Sequence, residues 1–162
     1  MDRDTLFRIV LLLHALGAIA SLGPSLTYGL WIGLAERAEP ATRAFVLSSI
    51  SRIDRRLTTP AYMAQAVTGV ALIVVHRWDF FGTPWLLTAV ALYVTLTAVA
   101  IVGYAPTFRR QSALAVRVAE GDEAAATEYR AAARRSTAFG ATTTVMTVLV
   151  VVLMVTKPAL WA

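Results

Sequence analysis

Four stretches without a single Lys, Arg, Asp or Glu dominate this chain of 162 residues. They cover 9–35, 57–76, 80–108 and 136–156, with lengths of 27, 20, 29 and 21 residues. A helix rising about 1.5 Å per residue crosses a hydrocarbon core in roughly 20 residues. Each run reaches that length. Strands do not fit, because an open sheet leaves unpaired backbone groups in lipid and a closed barrel needs alternating polarity. A soluble bundle does not fit either. A chain of this size cannot wrap four helices that are apolar all round in a polar shell. The sequence therefore predicts an all-α, four-helix transmembrane bundle forming one domain. Its helices are expected at about 6–35, 57–76, 84–108 and 136–156, with loops at 36–56 and 109–135. The first run is too long for the apolar region of a signal peptide and lacks a small-residue cleavage site, so it is expected to be a retained helix.

The charges sit in short blocks between these runs, and their signs orient the chain. The first loop holds Arg37, Arg43, Arg52, Arg55 and Arg56. The third loop holds Arg109, Arg110, Arg117, Arg130, Arg134 and Arg135. Eleven basic residues thus face four at the other end: Arg3, Arg8, Arg77 and Lys157. The positive-inside bias places both loops in the cytoplasm and both termini outside, as in a bacterial inner membrane. Trp78, Trp85 and Trp161 then fall at the outer boundary, as an aromatic belt would. The net charge of +5 does not point to nucleic acid, because the basic residues flank spans. Anionic lipid headgroups are the expected partner. The absence of cysteine excludes disulfides, thiolate metal sites and cysteine catalysis.

Both long loops read as helical. Pro40 suits a first helical position. Phe45, Val46, Ile50 and Ile53 share a side, away from Arg52, Asp54 and Arg55. That pattern predicts an amphipathic helix lying on the inner membrane surface. The third loop is rich in alanine, turns at Gly121, and reopens on Asp122 and Glu123. Helices 3 and 4 should therefore extend beyond the membrane as a hairpin. Thr59-Pro60 and Thr83-Pro84 read as helix starts.

The candidate chemistry centres on His14, inside the first run. An ionisable group at that depth should be neutral and hydrogen-bonded. A hydroxyl on another helix would satisfy it structurally. A haem iron or a copper ion would satisfy it functionally, since neutral imidazole ligates both. His76 and Met154 belong to the same outer half and complete a candidate cofactor set. His/His or His/Met pairs suit haem, and His with Met suits Cu(I). Gly17, Ser21, Gly29 and Gly33 form small faces for close helix approach. Pro24 should kink helix 1 by freeing the Ala20 carbonyl, which Ser21 could satisfy. Gln65 and Thr68, one turn apart on helix 2, read as interhelical glue. No carboxylate lies inside a span, and no phosphate loop, serine elbow or zinc motif is present.

The segments "LLLHALGAIASLG", "VTGVALIV" and "EYRAAARRS…VVVLMVTKP" resemble a bacterial family of predicted integral membrane proteins of unknown function. That family is distantly similar to the membrane domain of copper resistance D proteins and to HemJ-type protoporphyrinogen oxidases. In the latter, a first-helix histidine is associated with haem, and His14 matches that position. The Lys and His that those oxidases carry at the start of a later helix have no counterpart in "TPWLLTAVALY". The expected function is a small non-catalytic membrane protein holding haem b or copper in its outer half. It would be an accessory subunit of a membrane complex or a homo-oligomer. A purely structural subunit, a HemJ-like oxidoreductase and a small transporter are the alternatives.

Overall fold

The computed structural model describes residues 2–160 and, among them, contains helices and no strands. Trp161 lies outside the described residues. Helix α1 covers Arg3–Ala35, opened by Asp2, whose carboxylate accepts the Thr5 amide at 2.6 Å. Helices α2 (Pro40–Ile53) and α3 (Thr59–His76) follow. A π-helical turn, Asp54–Thr58, fuses them into one helix of 37 residues. Helices α4 (Pro84–Val99) and α5 (Ala105–Ala119) are fused in the same way by a π turn at Ala100–Tyr104. Helix α6, Glu123–Thr156, opens on Asp122 and runs 34 residues. All four continuous rods are long and apolar enough to cross a membrane.

Both π turns lie just before a proline. A proline lacks its N–H, and its ring pushes away the carbonyl four residues earlier. For Pro60 that carbonyl belongs to Arg56, and for Pro106 to Val102, each inside its π turn. Widening the helix by one residue accommodates both rings without ending the helix. Pro60 therefore sits inside a rod and does not start one, contrary to the reading of Thr59-Pro60 as a helix start. Thr83-Pro84 does start a helix, with Thr83 extended and Pro84 in the first turn. Pro24 lies inside an unbroken α1. The Ser21 hydroxyl there donates to the carbonyls of Gly17 (2.9 Å) and Ala18 (3.3 Å) rather than to that of Ala20.

The packing divides the molecule into two levels. In the spans, α1 packs on α3 and α4 packs on α6. The consecutive helices α3 and α4 do not pack on one another, although the Tyr93 hydroxyl donates to the Tyr62 carbonyl at 2.6 Å. At the arginine-rich end, α2, α5 and the first turns of α6 form a tight bundle. Its core includes Ala44, Leu47, Ile50, Phe108, Leu114, Ala125 and Ala132. The amphipathic α2 is therefore not laid on the membrane surface. It continues α3 and buries Ala44, Leu47 and Ile50, leaving Phe45 72% exposed and Ile53 43% exposed. Ile50 alone of the expected apolar side is buried, because the bundle meets α2 on the neighbouring face.

Polar groups tie this bundle together. Tyr129 donates its hydroxyl to Glu36, and Arg43 stacks on the Tyr129 ring at 5.3 Å. Tyr129 lies outside the spans, and burial together with the Glu36 carboxylate pushes its hydroxyl up to about 12. It stays a donor across the physiological range. At the α5–α6 turn, Gly121 adopts a φ of 92°, which only glycine takes without strain. The Asp122 carboxylate meets Arg117 at 2.6 Å and caps the amide of Ala125 at 3.1 Å.

Two measurements check this arrangement. Leu47→Ala should cost about 2–5 kcal/mol in unfolding from detergent, by opening a cavity in a fully buried site, whereas Phe45→Ala should stay within about 0.5 kcal/mol. The Arg117 guanidinium and the Ala125 amide hold the Asp122 carboxyl below its ordinary range. The stability it adds is present above its unfolded pKa and is lost as pH falls through the folded value. Melting temperatures of Asp122→Asn should therefore lie below wild type at neutral pH and converge with it in acid.

Candidate functional site

The contact between α1 and α3 places His14 in a defined environment. Its Nδ1 lies 2.9 Å from the Thr68 hydroxyl oxygen. That hydroxyl gives its own proton to the Ala64 carbonyl at 2.7 Å. With its proton there, the hydroxyl is free to accept from His14, an arrangement in which the imidazole carries its proton on Nδ1. Nε2 is left with a lone pair and forms no hydrogen bond to a described residue. The ring is seated over Gly69, where a Cβ would fall 3.5 Å from His14 Cε1. One turn along, the Gln65 amide donates to the His14 carbonyl at 2.5 Å. Gly17 faces that amide, and a Cβ there would approach Gln65 Nε2 to 3.2 Å. Small residues thus admit the polar side chains that join the helices.

The structure brings together His14, Gly17, Gln65 and Thr68, and it puts the other candidates elsewhere. Ser21 is fully buried and bonds within α1. Gly29 and Gly33 have open space where a Cβ would be, so they make no close helix contact within this chain. His76 lies eight residues beyond Thr68, about 12 Å further along the helix. It is exposed and stacks with Trp78 (4.3 Å between ring centres) and Phe7 (5.2 Å). Trp85 meets Trp78 edge-on at 5.7 Å, and Lys157 lies over both indoles at 5.9 and 5.5 Å. His76 thus belongs to an aromatic cluster at the end of the molecule. Met154 is half-buried near the end of α6, in the other helix pair. No cluster of three or more His, Cys, Asp or Glu suited to a metal occurs among the described residues.

Sequence reasoning missed a second feature. Next to the arginine-rich bundle, the two helix pairs enclose a cavity of about 650 Å³. Both π turns reach its wall, through Asp54 and Thr58 and through Ala100 and Tyr104. The sequence signal for it was the pair Pro60 and Pro106, each inside a helical run near the arginine-rich end.

The fold and these polar contacts define a small all-α polytopic membrane protein whose spans meet in pairs. The chain belongs to the family described as predicted integral membrane protein (DUF2269), which it matches over residues 8–158. No match was found among curated proteins or among solved structures.

If the His14–Thr68 bond helps hold α1 to α3, Thr68→Val should destabilise the folded protein by about 0.6–1.7 kcal/mol. Thermal unfolding in detergent, with Thr95→Val as an exposed control that bonds only its own helix, measures the difference.

Proposed function

We propose that this integral membrane protein is a non-catalytic subunit that offers His14 as one axial ligand to a haem b in the outer half of a bacterial inner membrane. The carrying observation is the His14–Thr68 contact, 2.9 Å between Nδ1 and the hydroxyl oxygen. A metal-ligating imidazole as a rule donates its other N–H to an acceptor, which orients the ring and raises its basicity. With His14 as donor, its bond to Thr68 takes that form and leaves the Nε2 lone pair for a metal. The resemblance of the His14 segment to haem-associated first helices supports the same reading. Haem is favoured over copper because an iron already held by a porphyrin needs only one further protein ligand, whereas Cu(I) needs several soft ligands together. His76 lies about 12 Å further along the same helix contact, against Phe7, and Met154 belongs to the other helix pair. A second axial ligand would come from another subunit or a second copy.

Absorption spectra of the purified protein from haem-supplied cells, oxidised and dithionite-reduced, test the proposal. The expected result is a Soret band and a reduced α band that are lost in His14→Ala and kept in His76→Ala. A colourless wild-type protein, or colour indifferent to His14→Ala, overturns it and leaves His14 as a helix-packing residue.

A further inference from the structure

The cavity between the helix pairs has a chemistry of its own. It does not include His14, which lies 11 residues from the lining residue Ser25, about 16 Å along α1. Its volume, about 650 Å³, falls in the range of small-molecule sites, roughly 300–1,000 Å³. Three tyrosines, Tyr28, Tyr62 and Tyr104, contribute to its wall. Flat aromatic walls favour a flat ring between them.

The polar groups specify the head of the ligand. Asp54 and Arg109 both line the cavity. An anionic head would meet the Asp54 carboxylate and a cationic head the Arg109 guanidinium, so a neutral head is favoured over either. Several lining hydroxyls have already donated their proton. Ser25 gives its proton to Ser21 (2.8 Å), Thr97 to Tyr93 (2.8 Å) and Thr143 to Gly140 (3.0 Å), each to a main-chain carbonyl. Tyr28 and Thr58 bond to each other at 2.8 Å. The oxygens bonded to carbonyls remain as acceptors, while the Tyr28–Thr58 pair keeps one proton to give. The Tyr104 hydroxyl, like those of Ser136, Thr137, Thr144 and Thr147, makes no hydrogen bond to a described residue, and it alone of these is carried on an aromatic ring. Its ring is held on one side by stacking on Phe108, 5.6 Å between centres and 16° from parallel. On another side Gly140 leaves it room, since a Cβ there would approach Tyr104 Cε2 to 3.3 Å. The wall therefore offers a positioned hydroxyl donor beside several acceptors.

We infer that this cavity binds a neutral, flat, oxygen-bearing ring with an apolar tail, of the quinone and quinol class. A ring carbonyl accepts from Tyr104, and a ring hydroxyl donates to the acceptors opposite. The tail leaves between α3 and α4, which do not pack together. The reading concerns binding, and it stands or falls independently of haem at His14.

Decylubiquinone titrated into the full chain, in nanodiscs of phosphatidylethanolamine and phosphatidylglycerol, tests it. The readout is bound quinone above that taken up by empty nanodiscs. Saturable binding near one per chain is expected. Tyr104→Phe, which keeps the shape, should weaken it three- to tenfold. Ala141→Phe, which places a ring in the cavity from an exposed lining position, should weaken it at least tenfold while the melting temperature without quinone stays near wild type. Non-saturable uptake, or binding unchanged in Tyr104→Phe, overturns the inference. So does a phospholipid that co-purifies in the cavity and is not displaced by decylubiquinone.

Discussion

Apolar burial in water, around Leu47, is the interaction on which the rest of this molecule depends. Between helices in lipid there is no hydrophobic driving force, because lipid tails are as apolar as leucine. The spans must associate through close packing and a few hydrogen bonds, such as those of His14, Gln65 and Thr68. At the arginine-rich end, water restores the hydrophobic effect. There Leu47, Ile50, Phe108 and Leu114 are all but removed from solvent. The same end clamps both helix pairs, since α2 is rigidly continuous with α3 and α5 with α4. Pairs held together outside the membrane need little contact inside it.

That arrangement explains why a cavity forms where it does. The two prolines Pro60 and Pro106 lie at the junction between bundle and spans. Each is preceded by a π turn, and each π turn contributes wall to the cavity. Gly103, inside the second turn, lets Phe139 of α6 approach so closely that a Cβ would lie 2.4 Å from its ring. The rods thus touch at the bundle and separate above it. Continuity is kept because a π turn reroutes hydrogen bonds without exposing them, which the bilayer would penalise heavily.

The spans were legible in the sequence because uncharged length is a local property, and each of the four runs falls on one of the four rods. The helical character of both long loops was legible from alanine content, Pro40 and the Gly121-Asp122 turn. The buried face of α2 was misread. Phe45 and Ile53 are apolar, but which face meets α5 is decided by where the α2–α3 rod points, a tertiary matter. Pro60 was misread because proline in a run usually marks a start, whereas here a π turn accommodates its ring within a continuous rod. At the candidate site, a hydroxyl partner for His14 follows from the cost of an unsatisfied imidazole in lipid. That Thr68 supplies it depends on the antiparallel register of α1 and α3. The cavity itself was not legible, because its walls come from four helices, and Pro60 and Pro106 mark only the helix turns beside it.

Hydrogen–deuterium exchange of the protein in nanodiscs tests the central claim most directly. The amides of 40–58 and 105–135 lie largely outside the hydrocarbon by the span assignments, so the bilayer does not shield them. The account predicts that they exchange slowly and as one cooperative unit, with Leu47, Ile50 and Leu114 among the most protected. Exchange of these segments at the rate of an unfolded peptide would contradict it, because the helix pairs would then have no clamp.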